Sequence, residues 1–365
     1  MKILLTGGGT MGSVSPLLAI AEEIKKQNEV EFLWIGTQNG PEKKVIENYK
    51  IPFKVIFSGK LRRYFNLRNF IDPFFIFIGL LQSFFILLKF KPNIILSAGS
   101  FVGAPLIWAG WLLRIPCLIH QLDICPTLAN KLTSPFVKKI TTTFEKSLKD
   151  FSNKKTIWTG NPIRQEIKIK NYELEIIEAR NFFHLEKDLP VILIIGGGTG
   201  ALDLNKIIVQ AILQLTKFCQ IIHLTGGKIE KNLSIQRYHA FEFLINEMKY
   251  AYIVADLVIS RAGIGTLTEL SYFKKPSILI PMPETHQEEN ANFFKNNQAT
   301  IVLDQKELIK DKNLIVEEIK KILQKKEELE NLKENIGKLN KQNAEKEIVK
   351  IIKQEVKKTQ KHKNI

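Results

Sequence analysis

The chain is 365 residues long, 45% hydrophobic and 25% charged, with a formal net charge of +16. That length exceeds what one hydrophobic core usually supports and predicts two cores. The composition excludes the disordered, collagen-like and disulfide-rich classes. Cys117, Cys125 and Cys219 stand in no CxxC or Cys/His spacing, so neither a disulfide framework nor a zinc site is expected, and a reducing compartment fits.

Lys2–Thr6 predicts a buried strand that starts at once and leaves no room for a signal peptide. It runs into Gly7-Gly8-Gly9-Thr10-Met11-Gly12-Ser13 and then the helical stretch Pro16–Lys26. Val30–Gly36, Asn93–Ser97, Cys117–His120 and Lys139–Thr143 predict further short strands with helices between several of them. Such alternation implies a parallel, doubly wound α/β sheet. Glycine and proline break the pattern at Thr159–Arg164. A second cycle follows at Pro190–Ile195, Gln220–Leu224, Leu257–Ser260 and Ser277–Pro281. The expected organisation is two Rossmann-like domains, residues 1–162 and 163–340, facing across a cleft, with 341–365 as a solvated basic helix and tail.

Charge is unevenly spread. Residues 51–150 hold thirteen Lys/Arg against four Asp/Glu, and the excess flanks an apolar run. Pro73–Leu88 is sixteen residues and contains Gln82 and Ser83, short of the roughly 20 that a membrane-spanning helix needs. Flanked by Arg62, Arg63, Arg68, Lys89 and Lys91, it reads as a surface that dips into an anionic membrane interface. A helix buried in the first domain's core is the alternative. No helix-turn-helix, RRM or zinc-finger pattern supports nucleic acid.

The loops carry the chemistry. A glycine turn between strand and helix brings backbone N–H groups and a helix N-terminus toward an anion, although the same turn also serves tight packing. The first loop is not GxGxxG, and no suitable acidic residue closes its unit, which disfavours NAD. Gly196-Gly197-Gly198-Thr199-Gly200 repeats the device in the second half. In Ser260-Arg261-Ala262-Gly263-Ile264-Gly265-Thr266, the strand end and Thr266 suit phosphate oxygens. Glu269, one turn on, suits ribose hydroxyls or simply complements the helix dipole. His286, Gln287 and Asn290 suit sugar hydroxyls or a helix cap.

In the order GGGTMGSVSP, GSFVGAP, HQLD, LANK, GNPIR, GGGTGA, SRAGIGTLTEL and HQEENA, the chain resembles the MurG family, the undecaprenyldiphospho-muramoylpentapeptide β-N-acetylglucosaminyltransferases, over residues 1 to about 300. The resemblance implies a two-domain GT-B-type fold and inverting, metal-independent transfer of GlcNAc from UDP-GlcNAc to a lipid-linked muramoyl-peptide, with no cofactor. It also implies a peripheral location on the cytoplasmic face of the cell membrane and admits other cell-wall synthesis proteins as partners. The acceptor side it implies is Gly9, Thr10, Met11, Gly12, Ser13, Gly99, Ser100, Asp123 and Asn130. UDP-GlcNAc would meet Arg164, Gly198, Thr199, Ala262, Gly263, Thr266, Glu269, Gln287 and Asn290, with Thr10, Gly12 and Asp123 reaching it as well.

The chain departs from the family pattern where a base is expected. Ser13 replaces a histidine, Met11 a glycine, Gln121 a glutamate, and Thr199 a common glutamine. Inverting transfer needs a group to take the acceptor's 4-hydroxyl proton. Asp123, His120 and Ser13 are the catalytic candidates, with Asp123 preferred. The alternatives are a catalytically silent nucleotide-sugar-binding scaffold or a related transferase with another lipid acceptor.

Overall fold

The computed structural model describes residues 1–26, 29–59, 68–197, 201–228 and 234–363. The chain forms two compact units, Met1–Arg164 with Lys341–Ile365, and Gln165–Asn340.

The first unit opens with β1 (Lys2–Thr6), α1 (Ser15–Lys25), β2 (Glu31–Gly36), α2 (Glu42–Asn48), β3 (Phe53–Val55) and α3 (Arg68–Phe90). It continues through β4 (Ile94–Ser97), α4 (Gly103–Leu112), β5 (Cys117–Gln121), α5 (Leu128–Thr133), β6 (Lys139–Thr142) and β7 (Thr156–Trp158). All pairings are parallel, in the order β3-β2-β1-β4-β5-β6-β7. Helices cover both faces, so the central strands are apolar without alternation: Ile3, Leu4, Leu5, Ile95 and Leu96 have no exposed surface.

The second unit contains α6 (Tyr172–Phe182), β8 (Val191–Ile195), α7 (Leu202–Leu215), β9 (Gln220–Leu224), β10 (Tyr238–Phe241), α8 (Met248–Val254) and β11 (Leu257–Ser260). It closes with α9 (Ile264–Phe273), β12 (Ser277–Leu279), α10 (His286–Asn296), β13 (Ile301–Val302), α11 (Gln305–Lys310), α12 (Asn313–Gln324) and α13 (Lys326–Lys338). Its sheet is also wholly parallel, ordered β10-β9-β8-β11-β12-β13. Two doubly wound parallel sheets are what the alternation of strands and helices implied.

Two segments differ from expectation. The final helix, α14 (Ala344–Lys363), is no solvated tail: Ala344, Ile348, Val349, Ile352 and Val356 are buried, and the helix packs on α1. Sparse apolar residues at helical spacing suffice for one buried stripe. The apolar helix α3 is longer than Pro73–Leu88. Ile71–Phe90 gives 20 residues at mean hydropathy 2.1, enough by length and composition to cross a membrane, so shortness does not exclude a span. The packing is the better guide. Leu87 and Ser83 are buried, Leu80, Phe84 and Ile86 join the core with α4, and Gly79 lets the helix meet the Phe57 carbonyl. Its other side exposes Ile71, Phe74, Phe77, Leu81, Phe85 and Leu88, from 46 to 68%. The core and surface readings each describe one face of the same helix.

Candidate functional site

In open parallel sheets, ligands bind beyond the carboxyl ends of the strands where strand order reverses. In the first unit this point lies between β1 and β4, neighbours in the sheet but not in the chain. Their loops are tied together, Ser100 Oγ donating to the Gly8 carbonyl at 2.9 Å. Gly9 and Thr10 are exposed at the loop's tip, with Met11 and Gly12 half-buried behind them. The glycines here serve packing as well as access. A Cβ on Gly7 would stand 2.6 Å from the Ser13 carbonyl oxygen, and one on Gly8 would strike the Glu42 carboxylate.

Glu42 is a residue that motif reading missed. Fully buried at the start of α2, it accepts from Gly9 N at 3.1 Å, Thr37 N at 2.7 Å and Thr37 Oγ1 at 2.6 Å. Its carboxylate holds the loop's shape by charge-assisted hydrogen bonds. The available signal was a carboxylate in the first turn of the helix after β2, which reads equally as a dipole partner.

Ser13, one of the three catalytic candidates, lies inside the loop. It is 6% exposed, accepts from Gly8 N at 3.1 Å and faces the Gly8 and Thr10 carbonyls at 3.4 and 3.3 Å. Its hydroxyl braces the loop from behind. His120, the second candidate, is enclosed within the sheet. It has no exposed surface, and its ring nitrogens meet Thr141 Oγ1 at 2.8 Å and Asn161 Oδ1 at 3.1 Å. Burial lowers its pKa to about 4, partly opposed by the Asn161 hydrogen bond, so at neutral pH it is an uncharged strut.

Beyond β5, Gln121 acts as a clamp. Its Nε2 donates to the Asp123 and Cys125 carbonyls at 2.8 and 3.1 Å, while its Oε1 accepts from Asn130 Nδ2 at 2.7 Å. An amide can both donate and accept here, which a glutamate could not. The clamp curls the loop so that Asp123 lies half-buried past the strand end. Asn130 is 1% exposed and a Cβ on Gly99 would sit 3.0 Å from its Nδ2, while Thr127 Oγ1 donates to the Gly99 carbonyl at 3.3 Å. The structure thus gathers Gly9–Ser13, Gly99, Ser100, Asp123 and Asn130 at three adjacent strand ends, with Asn130 and Ser13 as supports.

In the second unit the reversal lies between β8 and β11. Gly198 and Thr199 lie outside the described residues. Gly197 precedes them at φ +85°, and β11 leads through Arg261, Ala262 and Gly263 into α9, whose N-cap residue, Gly263, makes no side-chain cap. Among the described residues, a Cβ on Gly197, Gly263 or Gly265 would meet nothing within 4 Å. The positive φ of Gly197 itself calls for glycine, whereas at Gly263 and Gly265 a side chain would have room, and their lack of one leaves the backbone N–H groups of the helix N-terminus uncovered. Thr266 is half-exposed in the first turn. Glu269 follows, its Oε2 accepting from Tyr252 Oη at 2.7 Å.

The α10 loop completes this side. Gln287 Oε1 accepts from Met282 N at 3.0 Å. Asn290, expected to read sugar hydroxyls, has no exposed surface and donates through Nδ2 to the Ala262 carbonyl at 3.2 Å. It ties α10 to the turn before α9. Arg164 is half-buried where the first unit gives way to the second.

Residues 3–142 match the glycosyltransferase family 28 N-terminal domain and residues 191–352 the family 28 C-terminal domain. The chain is 39% identical over 327 residues to the UDP-N-acetylglucosamine--N-acetylmuramyl-(pentapeptide) pyrophosphoryl-undecaprenol N-acetylglucosamine transferase of Clostridium kluyveri, covering 88% of this chain and 91% of that one. The like-named protein of Legionella pneumophila strain Paris is 38% identical over 362 residues, with 97% of each chain covered. In fold the chain is similar to Acinetobacter baumannii MurG, with a TM-score of 0.73 at 23% identity over 97% of this chain and 99% of that one. A UDP-GlcNAc 2-epimerase from Neisseria meningitidis shares the architecture at TM-score 0.68 and 17% identity, covering 97% and 100%. Two family domains in order, and relatives of one name matched almost end to end, place this chain in glycosyltransferase family 28, among its pyrophosphoryl-undecaprenol N-acetylglucosamine transferases.

Proposed function

We propose that the chain transfers N-acetylglucosamine from UDP-GlcNAc to a lipid-linked muramoyl-peptide, with Asp123 as general base and α9 as the seat of the donor diphosphate. The observation that carries the donor side is the N-terminus of α9, with Gly263 as its N-cap and Gly265 in its first turn, followed by a carboxylate further along the helix. The acceptor's 4-hydroxyl oxygen attacks C1 of the sugar, and the C1–O bond to the diphosphate breaks with its electron pair leaving on UDP. The hydroxyl proton passes to the Asp123 carboxylate. Backbone N–H groups of α9 and the Thr266 hydroxyl favour the charge that grows on the departing diphosphate. Glu269 holds ribose, and the Gln287 amide stands where α10 begins for the sugar.

Asp123 is preferred because it is a half-buried carboxylate just past β5, whereas Ser13 is 6% and His120 0% exposed. The silent-scaffold reading is disfavoured because the relatives matched almost end to end are named as transferases.

The exposed stripe of α3 supports attachment to a membrane surface. It continues into a groove of about 380 Å³ lined by Leu80, Trp108, Trp111, Leu112, Leu132 and Phe136. Lys89 and Lys91 are exposed at the end of the helix, while Lys60, Arg62 and Arg63 lie outside the described residues. Because α3 is packed on α4 between two strands of one sheet, it serves as a surface and not as a span.

The decisive assay supplies UDP-GlcNAc and a short-chain lipid I analogue, with UDP-glucose in parallel, and follows UDP release and product mass. GlcNAc transfer with UDP-glucose as the poorer donor is expected. Asp123→Asn should lower kcat by roughly 10²–10⁴ with donor binding retained. Near-normal kcat in that variant would remove the base assignment.

A further inference from the structure

Tyr252 lies on α8 and is wholly buried, yet its hydroxyl reaches a half-exposed side chain. Oη donates to Glu269 Oε2 at 2.7 Å. The ring is held flat against Phe273, with centroids 4.9 Å apart and planes 20° apart. Phe273 lies four residues after Glu269 on α9, so the two side chains share a helix face. One seats the tyrosine ring and the other receives its O–H.

The chemistry of the pair is informative. A phenol is a neutral donor, so it fixes one carboxylate oxygen without cancelling the charge, as a lysine or arginine would. A carboxylate oxygen can accept more than one hydrogen bond, so accepting from Tyr252 leaves Glu269 capacity for uncharged hydroxyls. A glutamate on a helix surface ordinarily samples several rotamers, and the Tyr252 bond selects one of them. Tyr252 itself is too deep to touch a ligand and acts through Glu269.

We propose that Tyr252 is a positioning residue that orients Glu269 toward the vicinal ribose hydroxyls, and that the pair makes the donor site select ribonucleoside over deoxyribonucleoside diphosphate sugars. This rests on the reading of Glu269 as the ribose ligand. A site built to hydrogen-bond a hydroxyl rejects the analogue lacking it because the site's polar group is left unpaired.

The test is calorimetric titration of the full chain with UDP and with 2′-deoxyuridine diphosphate, using wild type, Tyr252→Phe and Glu269→Ala, with thermal melts alongside. Tyr252→Phe keeps the ring stack and removes only the donor. It should weaken UDP binding about tenfold while leaving 2′-deoxyuridine diphosphate bound within about twofold of wild type, a pattern that general loosening does not produce. In turnover, the loss should appear in donor KM more than in kcat. Equal weakening of both nucleotides would assign Tyr252 to packing alone and overturn the inference. If Glu269→Ala weakens UDP but Tyr252→Phe does not, the inference falls while the ribose role stands. If Glu269→Ala binds UDP as wild type does, the ribose role fails first and the inference with it. Should the phenylalanine variant melt early, Phe273→Leu, which loosens the ring seat and leaves both hydrogen-bonding groups, must show the same ribo-to-deoxy contrast or the inference is overturned.

Discussion

Glu269, midway along α9, and Asp123, just past β5, are both half-buried carboxylates, but the work proposed for them differs, and so do the expected losses. Removing Glu269 by Ala deletes a charged acceptor from the donor site and should weaken UDP-GlcNAc binding by about 1–3 kcal/mol. Calorimetry that finds donor affinity intact would end the assignment. Two histidines make a separate prediction. His223 repeats the arrangement of His120, its ring nitrogens meeting Tyr238 Oη at 2.9 Å and Asn205 Oδ1 at 3.1 Å. Burial lowers both pKa values from 6.5 to about 4. Below pH 6.5 the unfolded chain binds protons that the folded chain refuses, so this stability is present above 6.5 and lost as pH falls toward 4. At pH 5 the cost is about 2 kcal/mol per histidine. Urea midpoints at pH 7.5 and 5 should differ accordingly, and His223→Asn should flatten the dependence in the second unit. Loop positions were legible in the sequence because glycines and hydroxyls after an apolar run mark strand ends. Which side chains face a ligand was not. Asn290 and Asn130 look like sugar readers, but they bond to backbone and to Gln121, and Tyr252 in an apolar helix reads as core.

Among elements, α3 offers the sharpest test, since its two faces separate. Phe75 stacks on Phe57 with centroids 5.7 Å apart, whereas Phe74, Phe77 and Phe85 are 56–68% exposed. Combining Phe74→Ser, Phe77→Ser and Phe85→Ser should abolish most sedimentation with anionic liposomes while soluble-acceptor turnover persists. Wild-type binding should weaken with salt, as screening confines headgroup attraction to about 8 Å at physiological ionic strength. Undiminished sedimentation of the triple variant would place the membrane contact elsewhere. The strands missed in the sequence, β3, β7, β10 and β13, share one property: each lies at a sheet edge. They are two to four residues long and only partly buried. Edge strands lack the double burial that writes a continuous apolar run into central ones such as β1 and β8.

At the scale of the molecule, the division into two units was legible from the repeated strand–glycine–helix cycle, but the return of α14 to the first unit was not. A Lys/Glu-rich segment with sparse isoleucines does not announce which surface its stripe will cover. Ile352 has no exposed surface, so Ile352→Ala should cost about 2–5 kcal/mol. The loss should appear in the unfolding of the first unit and spare the second, and a uniform loss across both would contradict this partition. The return also sets an order of assembly. Gln165–Asn340 has every residue of its fold in one continuous stretch, so it is complete while α1 still lacks its cover. During synthesis the half of the molecule that leaves the ribosome first therefore finishes second. Its apolar flank on α1 stays open to chaperones, or to a wrong neighbour, until residue 356 has emerged.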